Sequence, residues 1–121
     1  MAGKIVADTL EHSTAGSVTT DYVVNGSAKA WVIFDGTGTI AADDSLNLSS
    51  LTDSGTGQYA QNFTSSFSAT EYSVLSGDNH RGVGEAAYST TSKATTVRRQ
   101  NTSDSTVDVS KVSMAEYGDL A

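Results

Sequence analysis

Apolar positions along this chain come in short runs that Gly, Asn, Asp and Ser interrupt at intervals of about ten residues, the rhythm of an antiparallel sandwich or barrel. Apolar recurrence at i, i+3 and i+4 is nearly absent and β-branched residues dominate, so the pattern predicts almost no helix. The clearest strand is Lys29 to Phe34. Successive side chains of a strand point to opposite faces, which sets Ala30, Val32 and Phe34 on one side and Trp31 and Ile33 on the other. Both sides are apolar. The strand is therefore expected to be covered twice, by the core on one side and by the N-terminal segment or a partner chain on the other. The glycines of Asp35-Gly36-Thr37-Gly38 permit the tight turn that ends it.

Further strands follow the same logic. Thr39 to Ala42 reads as a short return strand, Asp43-Asp44 as a turn, and Leu46 and Leu48, alternating with Ser45, Asn47 and Ser49, as a half-buried strand. Asp53 to Gly57 is a turn signal, and Gln58 to Phe63 is a strand anchored by Tyr59 and Phe63. Tyr72, Val74 and Ser76 line the next strand, which ends at Gly77-Asp78-Asn79. Ala86 to Tyr88 and Thr95 to Arg99 are weaker strands, and Asn101 to Asp104 is a polar turn. Val107 to Tyr117 is the last strand, and its apolar phase slips between Val109 and Val112, the mark of a β-bulge or of contact on both faces.

Ahead of the domain, Lys4 to Leu10 and Ser17 to Asn25 read as two extended pieces around the turn-rich His12 to Gly16. Their apolar residues are too sparse to pack alone. The expected architecture is all-β: an extended N-terminal arm over residues 1–27, then an antiparallel, jelly-roll-like β-sandwich of about seven or eight strands over residues 28–121.

Composition sharpens this picture. The hydrophobic share is 37%, while the chain carries 18 Ser and 16 Thr, so the core is expected to be thin and neighbouring subunits to complete it. Ile5, Val6, Val23, Trp31, Ile33, Val112 and Met114 are the positions expected in the core or between subunits. The net charge of −7 opposes binding to nucleic acid, which needs clustered cations, and only Arg98 and Arg99 are adjacent. It equally opposes anionic membrane surfaces, and no apolar run is long enough to span a bilayer. Without cysteine there is neither a disulfide nor a thiolate metal site. Residues Met1 to Val6 lack the apolar stretch of a secretory signal, so synthesis in a cytosol is expected, with any export by another route such as lysis.

Candidate chemistry is sparse. The only histidines, His12 and His80, lie in polar, turn-like settings and no Gly-x-Ser-x-Gly elbow occurs, so nucleophilic catalysis is not expected; a pH-dependent contact at His80 is the lesser alternative. Asp35, Asp43 and Asp44 are a conceivable glycosidase pair, and together with Asp53 and Asp78 a conceivable cation cluster, but Asp at turns ordinarily satisfies local N–H groups. Gly36-Thr37-Gly38 continues as a strand, which makes it a hairpin turn and not a phosphate cradle. Four Asn-x-Ser/Thr sites, at Asn25, Asn47, Asn62 and Asn101, are what so much Ser and Thr produces by chance. Tyr22, Tyr59, Tyr72 and Tyr88 either hold a sugar or protein partner or fill core and interface edges. The expectation is a protein that is not an enzyme and has no cofactor or metal.

Three blocks in order carry a resemblance. Lys29 to Ile40, written Lys-Ala-Trp-Val-Ile-Phe-Asp-Gly-Thr-Gly-Thr-Ile, is followed by Leu46 to Gly57, written Leu-Asn-Leu-Ser-Ser-Leu-Thr-Asp-Ser-Gly-Thr-Gly, and by Gln58 to Thr64, written Gln-Tyr-Ala-Gln-Asn-Phe-Thr. With the ending Val112 to Asp119, they resemble small bacteriophage virion proteins of the tail fibre-like type found in marine and cyanobacterial phages. The family commonly has Asn where this chain has Ile33. The resemblance implies a surface-exposed, homotrimeric virion component with no catalytic residues. Its partners would be copies of itself, other phage capsid or tail proteins and a host surface glycan. Two roles compete: a tail fibre, spike or adaptor module, and a head decoration (cement) protein. A glycan-degrading enzyme is the third.

Overall fold

A computed structural model describes residues 2–79, 83–97 and 105–121, and among residues 83–86 and 94–97 it describes the backbone alone. His80, Arg98 and Arg99, and the expected turn Asn101 to Asp104, lie outside the described residues. The chain forms an antiparallel β-sandwich preceded by a hairpin and a short helix.

The first sheet runs in the order β4-β3-β10-β7, from Ala41–Leu46, Ala30–Asp35, Val112–Tyr117 and Ser73–Asp78. The second runs β5-β6-β9-β8, from Leu48–Gly55, Gln58–Phe63, Ser92–Val97 and Val83–Tyr88. β3 behaves as its alternation requires: Ala30, Val32 and Phe34 are buried, while Trp31 and Ile33 stand half-buried on the opposite face. β6 likewise buries Tyr59 and Phe63, and Tyr72 and Val74 face inward near the start of β7.

Two apolar clusters fill the space between the sheets. One joins Val32, Phe34, Tyr59, Val109, Val112 and Met114; the other joins Ala30, Phe63, Phe67 and Tyr72. The rings of the second meet edge-on and stacked, with Phe67 and Tyr72 centroids 4.4 Å apart, a geometry aromatic pairs favour. Gln61 sits on the same face of β6, midway between Tyr59 and Phe63, and so between the clusters. It is fully buried, as are Lys93, its partner across the ladder, and Glu116 on the facing sheet. The Lys93 ammonium lies 4.1 Å from the Tyr88 ring centroid.

Neither amide atom of Gln61 has a hydrogen-bond partner among the described residues. Burying such a group unbonded costs about 1–3 kcal/mol by mutational measures. Gln61→Met keeps the length and removes the polar atoms, so it is expected to stabilise the fold by up to about that amount. A raised urea midpoint at unchanged slope checks this.

Four expectations need correction. Thr20–Gly26 forms a helix, α1, where an extended piece to Asn25 was expected. Among the described residues the preceding strands β1 (Thr9–His12) and β2 (Gly16–Thr19) pair only with each other, so the backbone beyond Thr19 has no ladder there to join. A helix satisfies its N–H and C=O groups locally. Asp43 and Asp44 lie within β4 and not in a turn. β4 is a sheet edge, where charged side chains are tolerated, and Asp43 pairs there with Lys111 at 2.5 Å.

Leu46 and Leu48 do not share a strand. Asn47, at φ 57°, turns the chain from one sheet into the other. Asn tolerates this left-handed conformation, and its side chain closes the corner by donating to the Ser65 carbonyl at 2.9 Å and accepting from Ser65 N at 2.6 Å. Finally, β10 starts at Val112, and Val109 reaches the core from the segment before it, its carbonyl accepting from Gly36 N at 2.9 Å. The apolar phase slip is a change of segment and not a bulge inside one strand.

Candidate interaction surface

The pairing registers define the outer face of the first sheet. Leu46 opposes Trp31, Trp31 opposes Ala115, and Ala115 opposes Leu75, so one row crosses all four strands and is apolar throughout. The row beside it reads Asp44, Ile33, Ser113 and Gly77. Trp31, Ile33, Leu75 and Ala115 line a shallow groove on this face. Leu75 is 64% exposed and Leu46 48%, whereas most leucines of a folded domain are covered. A second shallow depression lies at the Asn47 corner and is lined by Ala28, Lys29, Leu46, Leu48 and Leu120. Leu46, opposite Trp31 at the end of the apolar row, also lines this depression and so joins the row to it.

The N-terminal segment carries the other uncovered apolar surface. Ile5 is 89% exposed and Val6 81%, and Leu10, Val18, Tyr22, Val23 and Val24 are exposed as well. None of the residues of α1 is buried. The segment is joined to the sandwich through a clasp at its end: Lys29 Nζ donates to the carbonyls of Val24 and Ser27 and to the Ser27 hydroxyl, while Lys29 N donates to Glu116 O at 2.8 Å.

The residues expected in the core or between subunits thus divide into three groups. Val112 and Met114 are core. Trp31 and Ile33 are on the outer sheet face, and Ile5, Val6 and Val23 are on the exposed N-terminal segment. Leu46 and Leu75 were not singled out from the sequence. The signal for Leu75 was present, since Tyr72, Val74 and Ser76 facing inward leave Leu75 facing outward. Leu46 was hidden by the corner at Asn47, which breaks the alternation.

The other candidates are held in local roles. Asp35 Oδ1 accepts from Thr37 N at 2.8 Å and from the Thr37 hydroxyl at 2.6 Å, and these bonds hold its carboxyl below the usual range. Asp53 accepts from Gly55 N, and Asp44 from Ser45 N. His12 Nδ1 accepts from Ala15 N at 3.0 Å and so closes its own turn. Tyr59 and Tyr72 are core residues; Tyr22 and Tyr88 are exposed, on the helix and on β8. Among the described residues no three His, Cys, Asp or Glu side chains come together as a metal cluster. Among them, too, no helix is long and apolar enough to cross a membrane.

One polar cluster locks the sandwich at the β3 and β6 ends. The Tyr59 hydroxyl lies 2.8 Å from Gly36 O and 2.9 Å from Asp108 Oδ1, which also accepts from Gly57 N at 2.6 Å. Burial, followed by the Asp108 carboxylate, pushes the Tyr59 phenol above its ordinary range. A raised phenol supports the fold fully below the ordinary phenol value of about 10 and loses that support as pH climbs beyond it. The protein is therefore expected to weaken in alkali, and Tyr59→Phe to weaken less steeply there while being less stable at neutral pH. Urea titrations at neutral and alkaline pH test this.

Compared with family models, curated proteins and solved structures, the chain matches none.

Proposed function

We propose that this chain is a non-catalytic structural component of a phage particle. It is a homotrimeric surface module of the tail fibre, spike or adaptor kind, serving particle assembly or host attachment. One observation carries the reading: a single copy leaves two apolar surfaces uncovered, the N-terminal segment and the outer face of the first sheet. Apolar surface of this kind drives association, since removing it from water is favourable at about 25 cal/mol per Å². The local engagement of the turn carboxylates and His12 supports a structural role over a hydrolytic one. The order of the blocks Lys29 to Ile40, Leu46 to Gly57 and Gln58 to Thr64 supports the virion assignment.

Antibody against the chain is expected to decorate purified particles at the tail, and the free protein to compete with particles for host cells. Particles that carry no label overturn the virion assignment. Label on the head, with loss of the protein weakening the capsid, moves the role to decoration; the N-terminal segment, exposed and free to lie on a capsid subunit, is the feature that favours this second reading.

A further inference from the structure

Resting on the assembly reading above, we propose that copies of this chain associate by seating the N-terminal segment of one on the outer sheet face of the next. The donor surface is Ile5, Val6, Tyr22 and Val24. The acceptor is the row of Leu46, Trp31 and Leu75 with Ile33 beside it.

Three observations fix the occupant as a second copy. First, each chain carries one uncovered segment and one uncovered face, so donor and acceptor occur in equal number in any assembly of this chain alone. Second, a chain does not cover its own face. Ser27 and Ala28 are the only residues between the end of α1 and Lys29, whose N already bonds to Glu116 O of β10. Lys29 Nζ then clips the Val24 and Ser27 carbonyls, which holds the end of the helix at the sheet margin. In that clasped arrangement the chain leaves Leu46 and Leu75 of its own face exposed. Third, Leu46, the end of the acceptor row, also lines the depression at Ala28 and Lys29, where the segment departs. A segment arriving from a neighbour therefore lands beside the point where the next segment leaves, and the same contact repeats around a ring.

A contact between two different patches is head-to-tail, and it closes into a ring when the rotation permits. Such a contact has a property that a symmetric one lacks: a chain broken only in its segment complements a chain broken only in its face. Two full-length variants make the test. One carries Val6→Asp, Tyr22→Asp and Val24→Asp; the other carries Leu46→Asp and Leu75→Asp. All five positions are exposed, and cooperative urea unfolding with unchanged far-ultraviolet dichroism confirms that the variants are folded. If Leu46→Asp loosens the β4 edge, Leu75→Asp alone replaces the pair.

The wild type is expected to sediment as a closed oligomer and each variant alone as a monomer. An equimolar mixture is expected to give a one-to-one dimer that grows no further, because each dimer retains only one broken segment and one broken face. Trp31, the sole tryptophan, should shift its emission to the blue in the wild-type oligomer and in the mixed dimer, and in neither variant alone. Variants that stay oligomeric, or monomeric variants that fail to form the mixed dimer, overturn the segment-to-face contact and leave the assembly reading standing. A wild-type chain that remains monomeric at millimolar concentration overturns the assembly reading itself.

Discussion

Phe34→Ala is expected to lower the stability of the sandwich by about 3–5 kcal/mol. Phe34 is fully buried on β3, a strand paired on both sides, and lies opposite Val112 of β10. Its ring meets that of Tyr59 edge-on at 5.2 Å and 79°. Tyr59 belongs to the other sheet, so this ring pair is a contact between the two sheets and not merely within one. Truncation removes the buried area and leaves a cavity that two hydrogen-bonded sheets relax into poorly. A domain holds about 5–15 kcal/mol in all, so the loss takes a large part of the total. With a slope of about 1–3 kcal/mol per M, the urea midpoint should fall by about 1–5 M. Gln58→Ala, at an exposed position of β6, is the control and should move it little. Comparable effects at both positions would mean that the core is not where the burial places it.

Much of the core was legible because alternation is a strong signal wherever a strand is paired on both sides. Ala30, Val32 and Phe34 against Trp31 and Ile33 follow from period two alone, as do Tyr59 and Phe63. The turn carboxylates Asp35 and Asp53 were legible for a related reason, since an Asx turn needs only its own next two residues. What escaped depends on distant neighbours. Nothing local in Ser17 to Asn25 says that β2 finds no third strand among the described residues, yet that arrangement is what frees α1. Nothing local in Leu46-Asn47-Leu48 says that the chain changes sheets there.

The buried polar residues escaped because two signals oppose each other. Gln61 is in phase with Tyr59 and Phe63, and Glu116 is in phase with Val112 and Met114. Phase places them inside; polarity argues against it. Phase wins because turning one residue outward would turn every neighbour on its strand with it. The same rule explains the outer face. Strands that must present Val32, Phe34, Val112 and Met114 inward have only Trp31, Ile33, Ser113 and Ala115 left to present outward. Leu46 and Leu75 extend that apolar outer surface onto β4 and β7, where polar residues would have confined it to the two central strands.

Gly36→Ala is expected to be the most damaging glycine substitution at the β3 end, and for a reason that makes it testable by rescue. A Cβ at Gly36 would stand 2.4 Å from the Tyr59 hydroxyl oxygen, 2.7 Å from its Cζ and 2.9 Å from the Val109 carbonyl oxygen. The tyrosine has to move, because Val109 O is backbone and already accepts from Gly36 N. Crowding of this kind costs about 1–3 kcal/mol. Moving the ring also pulls the hydroxyl away from Gly36 O and Asp108, at the further cost of orphaned polar groups, about 1–3 kcal/mol. Tyr59→Phe alone loses only the second contribution. The double variant Gly36→Ala with Tyr59→Phe removes the nearest clashing atom and has no hydroxyl bond left to lose, so its destabilisation should fall short of the sum of the single effects. Urea titration of the four proteins measures the coupling. A strictly additive cycle would mean that the Tyr59 hydroxyl does not sit against Gly36, and the lock joining the β3 turn to β6 and the Asp108 segment would have to be placed elsewhere.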